Sequence, residues 1–131
     1  MIGVDANVLL RLLTRDHEKQ YESARAFFDK RSPQSPAFVS AVALAETAWV
    51  LKSRYQIPFS EIVETLSLLI ESDDFVIEGG EAFQTLRERG GKPSQLTDFI
   101  VAQMGTRAGC LHTVTFDQRA SSSVPSMELL Q

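Results

Sequence analysis

The first ten residues, Met1-Ile2-Gly3-Val4-Asp5-Ala6-Asn7-Val8-Leu9-Leu10, constrain the fold more than any other stretch. An apolar run stops at a carboxylate and restarts at once on a helical rhythm, so Asp5 falls at a strand-to-helix junction. Open α/β sheets bind their ligands in the crevice beyond the carboxyl ends of the strands. An acid at such a junction therefore points to where chemistry is usually done.

Helices and short strands alternate along the rest of the chain. Val8, Leu9, Leu12 and Leu13 keep helical spacing to about Thr14, and Tyr21, Ala24, Phe27 and Phe28 do so within a helix over 18–30. The prolines of Ser32-Pro33-Gln34-Ser35-Pro36 stop it. Phe38-Val39-Ser40 reads as a short strand, with Ser40 capping the next helix. The run over 41–51 is almost wholly apolar, which marks a helix buried on most sides; Glu46 is its only charge and Trp49 reads as core packing. Ser60 is a cap for a helix carrying Ile62, Val63, Leu66, Leu69 and Ile70. A turn at Asp73-Asp74 leads into a strand over 75–77, and Gly79-Gly80 separates it from a helix over 81–89. Gly90-Gly91-Lys92-Pro93-Ser94 is the clearest flexible loop. In the helix over 96–104, Asp98 again sits among apolar residues. Gly109 ends that helix, and 111–115 alternates as a strand that stops at Phe116-Asp117, repeating the arrangement at Asp5. Residues 121–125 read as a polar loop and 127–130 as a candidate edge strand.

Strands alternating with helices at this spacing indicate an α/β fold, a mostly parallel sheet of four to five strands with helices on both faces. The 131 residues are expected to form a single domain. With 13 Lys and Arg against 17 Asp and Glu, the net charge of −4 argues against holding nucleic acid by bulk phosphate attraction and leaves room for a local basic rim. Lone Cys110 forms no internal disulfide, and no apolar run approaches the ~18 residues that span a bilayer. The expectation is a soluble cytoplasmic protein without a membrane partner.

Two acids at strand ends and two within apolar helical stripes would face one crevice if the sheet winds in the simplest right-handed way. Two carboxylates about 6 Å apart at an effective dielectric near 20 repel by about 3 kcal/mol, so several in one pocket require protons or a cation. Oxygen ligands without His or Cys at ligand spacing favour Mg²⁺ or Mn²⁺ over zinc. Such an ion can activate water and stabilise charge on a phosphate under attack. Each acid also has a plainer role. Asp5 and Asp117 are good helix or turn caps, and Glu46 and Asp98 could be neutralised by buried Lys or Arg. Asp16, Asp29, Asp73, Asp74 and Glu88 lie in polar surroundings and read as solvated surface, while His17 and His112 read as structural.

Asp5-Ala6-Asn7-Val8-Leu9, Ala45-Glu46, Asp98-Phe99-Ile100-Val101-Ala102 and Thr115-Phe116-Asp117 together resemble the spaced acidic motifs of the PIN domain family, and most of all the VapC-type toxins of bacterial toxin-antitoxin pairs. The resemblance runs over nearly the whole chain. It implies a three-layer α/β/α PIN-like fold and a metal-dependent endoribonuclease, with Asp5, Glu46, Asp98 and Asp117 as the Mg²⁺ or Mn²⁺ site. It further implies that Asn7 and Thr115 assist by hydrogen bonding to a carboxylate or to water on the metal. A homodimer and a small antitoxin protein whose tail enters the acidic groove are the implied partners, beside the RNA substrate. The chain departs from the family where a further acid often precedes the third: here stand Ser94, Gln95 and Thr97, which puts a second metal position in doubt. Arg11, Arg15, Lys52, Arg54, Arg87, Arg89 and Lys92 are the candidate cations for guiding phosphates.

Two rival functions remain. A haloacid dehalogenase-like phosphatase shares the look of Asp-Ala-Asn-Val-Leu after a first strand, but it normally has Asp where this chain has Asn7, and its late Gly-Asp motif is missing. A non-catalytic binding module of the same fold is the other.

Overall fold

The architecture was read from a computed structural model, which describes residues 1–130; Gln131, the last residue of the expected domain, lies outside them. Contacts divide the chain into two compact units, Met1–Glu78 and a second that begins at Gly79.

In the first unit, β1 (Ile2–Val4), β2 (Ala37–Val39) and β3 (Phe75–Ile77) form a parallel sheet in the order β1-β2-β3, with Ile2 opposite Ala37 and Val4 opposite Val39. Parallel neighbours require long crossovers, and helices supply them. The first contains α1 (Ala6–Thr14) and α2 (Glu18–Asp29), the second α3 (Ala41–Ser53) and α4 (Phe59–Glu71). α1 packs against α2 and α3, and α3 against α4. Leu9, Val39, Leu44, Thr47, Ile62 and Leu66 are buried almost completely.

Caps decide where these helices begin. His17 Nδ1 accepts from Gln20 N at the start of α2. Ser40 Oγ accepts from Ala43 N at 3.1 Å, and Glu78 Oε1 accepts from Ala41 N at 2.9 Å, so two side chains satisfy the exposed amides of α3. The expected Ser60 cap is displaced. The extended Pro58 precedes α4, and its carbonyl accepts from Glu61 N and Ile62 N, which leaves Ser60 inside the first turn.

The second unit holds α5 (Gly80–Glu88), a 3-10 turn (Pro93–Gln95), α6 (Leu96–Arg107), β4 (Thr113–Thr115), α7 (Gln118–Ser123) and β5 (Met127–Leu129). β4 and β5 pair in parallel, with Thr113 opposite Met127. His112 Nε2 lies 3.0 Å from Glu128 Oε2, a structural role as expected. α5 packs on α6 around the buried Phe83, Leu86, Leu96 and Phe99. Gly79 and Gly109 take the left-handed conformation, with φ of 87° and 94°, at the start of α5 and just beyond α6. The stretch read as a polar loop instead winds into α7. Its serine hydroxyls bond back to carbonyls one turn earlier, as Ser123 Oγ does to Arg119 O at 2.7 Å.

All five strands of the described residues pair in parallel, and helices make up most of the remainder, which is the α/β, PIN-like architecture expected. The ladders are distributed as three strands in the first unit and two in the second.

One expectation fails inside α3. Trp49 is 67% exposed and Val42 77%, so Trp49 is not core packing, although most of the helix is buried as expected. Its inner face is carried by Leu44, Thr47, Ala48 and Leu51, and Thr47 hides its hydroxyl by donating to Ala43 O at 2.7 Å.

Candidate active site

Asp5 follows directly on β1 and caps α1: its backbone is extended, with φ −82° and ψ 157°, and Oδ1 accepts from Ala6 N at 2.8 Å. The carboxylate is exposed and lines a recess of about 460 Å³ together with Gly3, Val4, Asn7, Val8 and Arg11, closed on one side by Gln20, Ala24 and Phe27 of α2. Asn7 is exposed at the mouth of that recess. Glu46 stands on the exposed stripe of α3, one turn from Val42 on one side and Trp49 on the other.

In the second unit, Asp98 occupies the first turn of α6 and is half-buried. Asp117 follows β4 and caps α7, Oδ1 accepting from Arg119 N at 2.9 Å and Ala120 N at 3.1 Å. Thr115 Oγ1 accepts from Asp117 N at 3.1 Å, so this hydroxyl holds the turn and not the carboxylate. Partial burial raises the pKa of Asp98, and the neighbouring Asp117 carboxylate raises it further.

Asp5 and Asp117 thus cap helices, as their plainer role required. Capping occupies one oxygen of each carboxylate and leaves the second for a ligand. The plainer role for Glu46 and Asp98 is not found: among the described residues none of the four acids is paired with Lys or Arg. Within either unit, no three His, Cys, Asp or Glu side chains of the described residues gather as a metal cage. What the second unit does contain is a pair of hard oxygen donors that repel each other, and a divalent cation suits such a donor set.

The candidate cations fare unequally. Arg11 is tied to Gln20 and to Asp16, and Arg15 to Glu18 while its guanidinium lies 4.4 Å from the Tyr21 ring centre. Lys52 lies over Phe59 at 4.1 Å. Arg54, Arg89 and Lys92 are exposed and have no ion pair among the described residues. Asp16 is more than solvated surface: it accepts from Tyr55, Thr14 and Arg11, and the Tyr55 hydroxyl foremost holds it below the usual carboxylate range.

A family model described as PIN domain matches residues 2–123, almost the whole chain. The chain belongs to the PIN domain family. PIN domains are in general a metal-dependent nuclease fold acting on RNA or other nucleic acids, typically with divalent ions. The PIN match runs without a break across the boundary between the two units. No curated protein and no solved structure gives a significant match. Among the described residues of this PIN chain, no helix is long and apolar enough to cross a membrane. The exposure of Trp49 went unread although Glu46 and Ser53, at helical spacing from it, mark the outward side of α3.

Proposed function

We propose that this chain is an endoribonuclease dependent on Mg²⁺ or Mn²⁺, with residues 1–131 acting as one domain and Asp5, Glu46, Asp98 and Asp117 as the metal ligands. The observation that carries the reading is that all four acids lack a Lys or Arg partner while Asp98 is made reluctant to ionise by burial and by Asp117. The ionised form of Asp98 works against folding unless a cation or proton offsets it.

When bound, the ion supplies Lewis-acid chemistry, making water a better nucleophile and stabilising charge on the phosphate. The chain's own residues bind and orient. Hydrolysis adds a water oxygen to phosphorus, breaks one phosphorus–oxygen ester bond and passes a proton to the departing oxygen. Asp98 would hold the ion through its carboxylate, and the proton affinity that burial and Asp117 raise would fall once the ion is bound. Asn7, which lines the recess beside Asp5, would donate a hydrogen bond to a carboxylate or to water on the metal. Thr115 acts one step removed, by holding the backbone from which Asp117 projects.

The finer reading rests on the resemblance of the four motifs: a VapC-type toxin, homodimeric, held inactive in the cytoplasm by an antitoxin protein. Asp5→Asn keeps the cap oxygen while removing a charge, so it is expected to fold normally and to lose Mg²⁺-dependent cleavage of RNA. Full cleavage by that variant overturns the nuclease. Covalent phosphorylation of Asp5 by a phosphate ester would point to the phosphatase instead.

A further inference from the structure

Trp49 is a large aromatic side chain left 67% exposed on a helix, and the surrounding chain gives it no use. Among the described residues its indole N–H donates to nothing, no second ring stacks on it and no cation covers it. Lys52, close by in sequence, is turned to Phe59. Three residues separate Trp49 from Glu46, about 4.5 Å along the helix axis, which puts the two side chains side by side on one face.

We infer that Trp49 is a stacking platform for an unpaired nucleobase of the nucleic acid whose phosphate lies at Glu46. This rests on the nuclease reading of the site and adds to it a residue that contacts the substrate. Aromatic rings recognise bases that are free of a duplex, because the faces of paired bases are already stacked. A second copy of this chain is the other flat apolar occupant. A single base covers the one ring and leaves Glu46, three residues away, open to the ion it is proposed to hold, whereas a second copy laid along the stripe would cover both.

Trp49 is the sole tryptophan, so its fluorescence reports on this contact alone. The full-length Asp5→Asn chain is titrated with a short oligoadenylate, as ribose and deoxyribose strands, and with the corresponding duplex. Saturable quenching by single strands and not by duplex is the expected result. Trp49→Ala is expected to weaken binding by roughly tenfold, whereas Trp49→Phe retains most of it. In the otherwise wild-type enzyme, Trp49→Ala is expected to raise KM with little change in kcat. Cleavage of RNA with no fluorescence response overturns the platform and spares the nuclease. Quenching without any metal-dependent cleavage supports the platform and overturns the nuclease, and failure of both overturns both. An emission shift that follows protein concentration and ignores the oligonucleotide overturns the platform in favour of a second copy.

Discussion

The Asp117 carboxylate raises the proton affinity of Asp98 while its own Oδ1 is engaged by two amides at the start of α7. The two acids are therefore unequal. Asp117 is held by its cap, and Asp98, partly withdrawn from water, has no donor of its own and is the one that yields.

That inequality gives stability a pH dependence of known sign. The pKa of Asp98 is higher in the folded chain than its ordinary 3.8, so the folded state binds this proton more tightly than the unfolded chain does. The resulting stabilisation is complete below the unfolded value and is lost as pH rises through the folded value. At neutral pH the ionised side chain opposes folding. Asp98→Asn is expected to raise the thermal midpoint in chelator near neutral pH and to leave it unchanged at about pH 3. The gain is no more than a few degrees, because the side chain is only partly buried and solvent screens it. Melting curves at both pH values check this, and an equal loss at both would contradict it.

Divalent ions are expected to act on the same strain. An ion concentration ten times Kd adds about 1.4 kcal/mol to stability, a shift of a few degrees for a domain of this size. Millimolar Mg²⁺ or Mn²⁺ should raise the melting temperature, chelator should reverse it, and Asp98→Asn should reduce it. Calorimetry with and without each ion reads the effect, and no shift with either counts against a preformed site.

The helix that carries Glu46 depends on an acid from elsewhere in its unit. α3 has no acidic residue in its first turn, and Glu78 supplies the negative charge by accepting from Ala41 N. Glu78→Ala is expected to cost about 1 kcal/mol. Glu78→Gln keeps the acceptor and should lose only a few tenths, a difference that shrinks in high salt. Ser40→Ala removes the second cap and should again cost about 1 kcal/mol. Denaturant titrations at low and high salt separate the two contributions.

The junctions at Asp5 and Asp117 and the cap at Ser40 were legible because they are local: an apolar run, a short polar residue and a helical rhythm stand next to one another in the chain. The outward face of α3 was not. Val42 and Trp49 look as apolar as Leu44 and Leu51, and the polar marks of the outward side, Glu46 and Ser53, are few beside them. α7 was missed for a different reason. Its serines favour turns by intrinsic preference, and the Asp117 cap together with back-bonded hydroxyls holds them helical. The coupling of Asp98 to Asp117 joins residues far apart in sequence, and the residues alone offered only the expectation that such acids converge.

Each strand is only three residues long, about 10 Å of extended chain. β2, the central strand of its ladder, therefore has one register to lose: Ala37 and Val39 are wholly buried at 0% exposure, while Phe38 between them faces the other way. The insertion or deletion of a single residue within β2 would turn its buried face to the other side of the ladder or carry Ser40 away from its cap on α3. In this central strand the number of residues is held more tightly than the chemistry of any one of them.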